Sequence, residues 1–96
     1  MKSYHKCKKD GNHNEIELAL SRAGCATWDT SGLGDGAPDL MCIRSGIGIM
    51  RLFEIKQPGE GYTPKETKWQ QRNPRMAQYY RRIETKEAAL KEMGLL

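Results

Sequence analysis

The stretch that decides the fold is "GDGAPDLMCIRSGIGIMRLFEIK", which runs from Gly34 to Lys56. Two apolar runs, 39–44 and 49–56, flank the short glycine-containing segment "SGIG". Apolar runs of this length on either side of a glycine-rich connection are typical of two antiparallel strands. The sequence therefore predicts a β-hairpin at the centre of the chain.

The predicted hairpin brings charged side chains together. A symmetric turn centred between Gly46 and Ile47 places Asp39 directly opposite Glu54, and opposed residues point to the same face of a sheet. Lys56 shares that face with Glu54, because side chains alternate along a strand. The prediction depends on register, since a slip of one residue would send Asp39 to the other face.

Two carboxylates this close in a half-buried sheet repel each other unless a positive charge neutralises them. A hard divalent cation such as Mg²⁺ does so, and it can turn a bound water into a nucleophile. The ammonium group of Lys56 could stabilise the anionic transition state of a phosphoryl reaction or orient the attacking water. The pattern indicates phosphodiester hydrolysis. The alternative is an exposed cross-strand Asp beside a solvent-screened Glu–Lys pair.

The whole chain sets the limits of this interpretation. Its 96 residues suffice for one small domain, and 38% hydrophobic residues give a modest core. The net charge is +4, and between 65 and 82 only Glu66 opposes the basic residues. Those basic residues are Lys65, Lys68, Arg72, Arg75, Arg81 and Arg82. A basic stripe of this kind fits a polyanion such as nucleic acid, the alternative being a solvated helix face.

The compartment is expected to be the cytoplasm. No apolar run approaches the length of a membrane span, and the polar start does not read as a signal peptide. Three widely spaced cysteines do not suggest a disulfide framework. His5, Cys7 and His13 are metal-ligand types, but they lack the paired spacing of a zinc module. Residues 1–11 are expected to form a flexible basic N-terminus.

The predicted elements follow the order αβββαβα, a mixed sheet with helices on its faces. The first helix begins near Glu15, with Asn12 or Asn14 as its cap, and ends at Gly24. The predicted strands are 25–30, 39–44, 49–56 and 76–83, and the later helices are 64–72 and 85–93. The loop 31–38 lacks the ending of a nucleotide-binding loop and is expected to bring Asp39 to the site.

Two tryptophans are candidates for contact with DNA, and one of two adjacent tyrosines is a candidate for contact with DNA or for a dimer interface. Trp28 and Trp69 could stack on bases, although a tryptophan in a small α/β domain is more often part of the core. Tyr79 and Tyr80 are adjacent in a predicted strand, so at least one of them should point inward.

The central motif resembles a known family. "APDLMCIR…RLFEIK" is similar to the core of the PD-(D/E)XK nuclease superfamily, and most like the small phage-type VRR-NUC nucleases. The flanking stretches "KKDGNHNEIELALSRAGCATWDTSGLGDGAPDL", "YTPKETKW" and "RRIETKEAAL" extend the resemblance over roughly residues 10 to 95. It implies a single VRR-NUC-like nuclease domain over residues 1–96 with the PD-(D/E)XK nuclease-like fold.

The resemblance also implies roles for individual residues. Asp39 and Glu54 match the carboxylates that bind the metal, Mg²⁺ or Mn²⁺, and Lys56 matches the catalytic lysine. The backbone carbonyl of Ile55 would be a further metal ligand.

A helical acid completes the catalytic set of this superfamily. The resemblance favours Glu15 as that residue, a further metal ligand or the group that orients a water. Helical periodicity does not choose between Glu15 and Glu17, because both flank the apolar stripe. Glu66 departs from the family, in which a glutamine is common, and its role is left open.

The function implied by the resemblance is a metal-dependent DNA endonuclease that cuts branched DNA, including Holliday junctions. Such an enzyme would be a homodimer, would work in the host cytoplasm if phage-encoded, and would contact DNA through Lys65, Lys68, Arg72 and Arg75. An alternative is a DNA-binding or assembly module that keeps the fold without turnover. A weaker alternative is a nickase or a restriction-like enzyme.

Overall fold

The computed structural model describes residues 11–96, so the predictions for the N-terminal arm and for His5 and Cys7 lie outside the described residues. Its helices are α1 (His13–Arg22), α2 (Pro64–Arg72), α3 (Pro74–Ala77) and α4 (Lys86–Glu92). Its strands are β1 (Ala26–Asp29), β2 (Leu40–Arg44), β3 (Ile49–Ile55) and β4 (Tyr80–Ile83). The chain is a mixed α/β domain, as the sequence predicts.

The four strands form one sheet in the order β1-β2-β3-β4. The first three strands are antiparallel to their neighbours, and β4 lies parallel to β3. Leu40 pairs with Phe53, so the predicted register of the central hairpin is confirmed. Gly46 and Gly48 both have a positive φ, which the turn requires and glycine adopts at little cost.

The hydrophobic core lies between one face of the sheet and the helices α1 and α4, which contact each other. It contains Ile16, Leu20, Cys25, Leu40, Cys42, Phe53, Ile55, Ile83, Ala89 and Met93. Cys25 and Cys42 are free thiols, and burial raises the pKa of the Cys42 thiol to about 12. Both cysteines therefore act as small apolar core residues.

One predicted element is partly wrong. The segment 76–83 was predicted as a single strand, but α3 occupies Pro74–Ala77 and the strand is only Tyr80–Ile83. Pro74 stands at the first helical position, and the carbonyl of Asn73 accepts hydrogen bonds from the amides of Met76 and Ala77. The order is therefore αβββααβα.

The glycine-rich loop before β2 is packed against α2. Gly36 has a φ of 79°, and a Cβ atom there would lie 2.2 Å from the carbonyl oxygen of Lys65. Only glycine permits this approach. The Thr30 hydroxyl donates to the Pro38 carbonyl at 2.6 Å and the Thr30 amide to the Asp39 carbonyl at 3.0 Å. These contacts fix the backbone that carries Asp39, as predicted for this loop.

Across residues 11–96, every helix is too short or too polar to cross a membrane.

Candidate active site

Asp39 and Glu54 meet where β2 begins and β3 ends. The Asp39 amide donates to the carbonyl of Phe53 at 2.8 Å, which continues the hairpin ladder to this residue. Oδ2 of Asp39 accepts a 2.8 Å hydrogen bond from the Ile55 amide. The Asp39 carboxylate is therefore held beside Glu54 by the backbone of the opposite strand.

Glu54 is buried, and Asp39 beside it is partly buried. Burial raises the pKa of Glu54, and the charge of Asp39 and a hydrogen bond with it raise it further, to about 9. Burial also raises the pKa of Asp39, although the Ile55 amide partly opposes this. Tyr80 on β4 donates its hydroxyl to Oε1 of Glu54 at 2.9 Å. One proton thus stays with the pair near neutral pH unless a cation replaces it.

Lys56 lies between two acidic side chains. Its Nζ is 2.9 Å from Oε1 of Glu66 and 3.8 Å from Oε2 of Glu54. Burial lowers the pKa of Lys56, but the hydrogen bond and charge of Glu66 outweigh it, and the pKa is raised overall. The lysine is therefore a fixed positive charge beside the carboxylate pair.

Glu66 is held in place by the start of α2. The Thr63 hydroxyl accepts from the Glu66 amide at 3.2 Å, and Oε1 of Glu66 accepts from the Thr63 amide at 2.8 Å. This capping box fixes the side chain that contacts Lys56. Burial raises the pKa of Glu66, but the hydrogen bond from Lys56 is among the contacts that make it lower overall. Glu66, whose role the sequence left open, therefore positions the ammonium group of Lys56.

The structure does not bring Glu15 to this cluster. Glu15 is two residues from the buried His13, so the two side chains lie on opposite sides of α1. Its Oε2 is 3.7 Å from Nζ of Lys86, at the surface. Glu17, one turn after His13, lies on the inward side, where its Oε2 accepts from the Thr27 hydroxyl at 3.4 Å. Of the two helical acids considered, Glu17 is the one that faces the sheet.

Tyr80 is a site residue that sequence reasoning missed, and His13 is a buried polar residue that it also missed. His13 is buried on the inner side of α1. Its signal in the sequence is its position three residues before Ile16 and seven before Leu20, which extends the buried stripe of α1 by one turn. Tyr80 confirms the expectation that one of the two tyrosines points inward, since Tyr79 is exposed.

The predicted DNA-contacting residues are exposed. Lys65, Lys68 and Arg72 share a face of α2, and Arg75 follows on α3; all four are exposed and unpaired with any acid among the described residues.

The other two basic residues of the predicted stripe are engaged within the fold. Arg81 lies 3.2 Å from Glu92, and Arg82 lies 2.6 Å from Glu84. Both arginines are therefore engaged in ion pairs within the fold.

An apolar groove of about 310 Å³ lies on the sheet face opposite the core. Trp28, Leu33, Met41, Leu52, Trp69 and Met76 are among the side chains that line it. Trp28 is 57% exposed, whereas Trp69 packs against Tyr80 with ring centroids 5.7 Å apart. Trp69 therefore packs against the tyrosine that donates to Glu54, and Trp28 remains exposed and available for contact with a ligand.

The donor set fits a hard divalent cation. Asp39 and Glu54 offer carboxylate oxygens, the ligands that Mg²⁺ and Mn²⁺ take in proteins. Their raised pKa values show that the fold forces two acids together without enough positive charge to keep both ionised. A cation bound between them would replace the retained proton and relieve their repulsion.

The raised pKa of Glu54 predicts how the metal-free protein responds to pH. Glu54 ionises near its ordinary value of 4.5 in the unfolded chain and near 9 in the folded one. Between these values the folded state binds the extra proton, so stability falls as pH rises, by at most about 1.4 kcal/mol per pH unit. Glu54→Gln should remove this contribution. We expect the variant to be the more stable protein at pH 8 in EDTA.

Urea unfolding in EDTA at pH 5.5 and pH 8, with both proteins, tests this prediction. The difference between variant and wild type isolates Glu54 from other titrating groups. An equal loss of stability in both proteins would contradict the raised pKa.

Comparison with known proteins adds nothing to this geometry: no family model, no curated protein and no solved structure matches the chain.

Proposed function

We propose that this protein is a divalent-metal-dependent DNA endonuclease of the PD-(D/E)XK type. The observation that carries the proposal is the contact set of Asp39, Glu54 and Lys56: a buried carboxyl group beside a partly buried one, with a charged lysine 3.8 Å from the buried one. A hydrolase for phosphodiesters needs a site for a hard cation and a positive charge beside the reacting phosphate. These three residues supply both.

Each residue has a separate part in the proposed reaction. Asp39 and Glu54 bind the cation, with the Ile55 carbonyl as a further ligand. The bound cation supplies a Lewis acid and an activated water. Lys56 keeps its proton and stabilises the negative charge that develops on the phosphate. Glu66 holds the Lys56 ammonium in place, at 2.9 Å.

The proposed substrate is branched DNA, including Holliday junctions. The exposed basic side chains on α2 and α3 would contact the phosphates of the DNA, and phosphate contacts do not depend on the base sequence. A protein that recognises DNA mainly through phosphates selects its substrate by shape.

A cleavage panel tests this function. Purified protein is incubated with a four-way junction, a flap, a splayed arm and a linear duplex, each with Mn²⁺, Mg²⁺ or EDTA. We expect metal-dependent cuts, most rapidly in the junction. Binding without cutting in every metal would favour the non-catalytic module, and equal cutting of the linear duplex would favour a restriction-like enzyme.

The exposed arginines of the stripe should act through phosphates. Arg72→Gln with Arg75→Gln should weaken binding to junction and duplex alike. The slope of the logarithm of the binding constant against the logarithm of the salt concentration should also decrease in magnitude by about 1.8, because each lost phosphate contact on B-form DNA contributes about 0.9. Fluorescence anisotropy from low to moderate salt measures both quantities.

A matched control removes two exposed cations elsewhere. Arg22 on α1 and Lys91 on α4 are exposed and lie outside the stripe. Arg22→Gln with Lys91→Gln changes the net charge equally and should leave the slope nearly unchanged. Equal slopes for the two double variants would place Arg72 and Arg75 away from the DNA.

We further propose that the active species is a homodimer. A four-way junction has near two-fold symmetry, and a C2 dimer presents two active sites at fixed separation for paired cuts. A chain with this modest core also gains from a partner that covers exposed apolar surface. Light scattering at micromolar concentration should give twice the chain mass, and a plasmid-borne cruciform should be cut in both strands. A monomeric mass with single nicks would contradict the dimer.

A further inference from the structure

A second cluster of ligand-type side chains lies between α1 and the end of β1. Nε2 of His13 is 3.7 Å from Oε1 of Glu17 and 3.7 Å from Oδ1 of Asp29. One ligand atom from each of the three residues lies within 4.8 Å of the other two. Three potential ligands thus converge from two elements of the fold.

The cluster lies on a different face of the sheet from the carboxyl pair. Asp29 pairs with Leu40, a core residue, so its side chain points toward α1. Glu54 follows Phe53, another core residue, and therefore points away from that helix. Glu54 and Lys56 are not part of this second cluster.

His13 is the unusual member of the cluster. Its side chain is 2% exposed, and Nε2 is a buried polar atom without a hydrogen-bond partner among the described residues. Native structures rarely leave such an atom unsatisfied, because burial removes its water without replacing it. The nitrogen is aimed at two carboxylate oxygens that are too far for hydrogen bonds and close enough to share an ion.

The two carboxylates are oriented by neighbouring hydroxyl groups. The Thr27 hydroxyl donates to Oε2 of Glu17 at 3.4 Å, the oxygen that is not the closer one to His13. The hydroxyl and the amide of Ser31 donate to Oδ1 of Asp29 at 2.6 and 3.0 Å. Outer hydrogen bonds of this kind fix the ligands of metal sites.

We propose that His13, Glu17 and Asp29 bind a Zn²⁺ ion. An imidazole nitrogen with carboxylates suits this ion, whereas Mg²⁺ and Mn²⁺ favour oxygen ligands. A tetrahedral ion with bonds of about 2.0–2.1 Å separates its ligands by about 3.4 Å. The two 3.7 Å spacings from His13 need to close by only a few tenths of an ångström, and the spacing between the two carboxylate oxygens, which is within 4.8 Å, by at most about 1.4 Å.

The competing explanation is a protonated His13 in ion pairs with both acids. A metal ion must displace that proton before it binds, so a cluster that only forms ion pairs should show no Zn²⁺ binding near neutral pH, whereas a metal site should bind Zn²⁺. The two explanations can be distinguished without DNA and without catalytic activity.

Calorimetric titration with Zn²⁺ and with Mg²⁺ tests the site. The protein carries Asp39→Asn and Glu54→Gln, which silence the carboxyl pair, and is otherwise the full chain. We expect one Zn²⁺ per chain, a rise in melting temperature with Zn²⁺, and no comparable binding of Mg²⁺. Absence of Zn²⁺ binding here would overturn the proposal of a separate site.

Variants at the cluster identify the ligands. His13→Gln and Asp29→Asn, each added to that protein, should weaken Zn²⁺ binding by at least about 100-fold, beyond the 10–100-fold typical of changes to outer hydrogen bonds. Asp29 is partly exposed, so its variant remains informative if His13→Gln does not fold. Unchanged affinity in Asp29→Asn would overturn the assignment.

Two controls exclude other ligands. Glu15→Gln removes an acid from the outer side of α1 and should leave Zn²⁺ binding unchanged. His5→Gln with Cys7→Ser should also leave it unchanged, and a Co²⁺ complex should lack the charge-transfer band of a thiolate. Loss of binding in the His5 and Cys7 variant would assign the metal to the N-terminal residues and overturn the proposal.

Discussion

Asp39→Asn should abolish metal-dependent DNA cleavage. The substitution keeps the size and shape of the side chain but removes a charge that the cation requires. A catalytic metal contributes several kcal/mol at the transition state, and each 1.36 kcal/mol is tenfold in rate, so we expect a loss of roughly 1000-fold or more. Single-turnover cleavage of a four-way junction in Mg²⁺ and Mn²⁺ measures the effect, and Glu54→Gln should behave in the same way.

The same variant should still bind DNA. In EDTA its affinity for the junction should equal or slightly exceed that of the wild type, because no metal is bound there and the substitution adds no negative charge near the phosphate. Asp35→Asn is a matched control: Asp35 is a loop acid with a φ of 55°, a conformation that asparagine also tolerates. The control should cut at the wild-type rate. Undiminished Mg²⁺-dependent cutting by Asp39→Asn would show that Asp39 is not a ligand of the catalytic metal.

The sequence predicted the centre of the fold because local rules determine it. A short glycine-containing turn between two apolar runs leaves few registers, and only one keeps Leu40 and Phe53 together in the core. That register places Asp39 beside Glu54. The boundaries of α2 were also predicted, because Pro64 is suited to the first turn of a helix.

The rest depended on contacts between distant segments. The Thr63–Glu66 capping box indicates the start of a helix, but no local sequence feature shows that Glu66 will contact Lys56. His13 looked like one of several scattered ligand types, since only the packing of α1 on the sheet buries it and aims it at Asp29. The short helix α3 was missed because a strand pattern continued through Met76 and Ala77, while Pro74 favoured a helical turn.

The coarse architecture and the identity of the superfamily rest on different grounds. A four-stranded mixed sheet with helices on both faces is what the structure contains, and many unrelated proteins share such an arrangement. The nuclease proposal therefore rests on the site: a hydrogen-bonded acid pair, a buried lysine and an acid that holds this lysine. Its tests are accordingly tests of these residues.

Lys56→Met should slow cleavage by roughly 100-fold while the carboxyl pair still binds metal. The lysine is proposed to act on the phosphate, and removing one preorganised group that stabilises developing charge costs about 10²–10³ in rate. Methionine keeps most of the apolar length of the side chain, which suits a residue that is 7% exposed. Without the ammonium, Glu66 loses the hydrogen bond that helps to lower its pKa, so the pKa of Glu66 should rise.

Two measurements separate this role from metal binding. Single-turnover rates at saturating Mn²⁺ report the chemistry, and Mn²⁺ calorimetry without DNA reports the metal site. Lys86→Met is the matched control, because Lys86 also lies beside an acid, 3.7 Å from Glu15, but at the surface. The control should change neither quantity. If Lys56→Met lost Mn²⁺ affinity to the same extent as Asp39→Asn, the lysine would serve to assemble the metal site. A wild-type cleavage rate would show that Lys56 does not act on the phosphate.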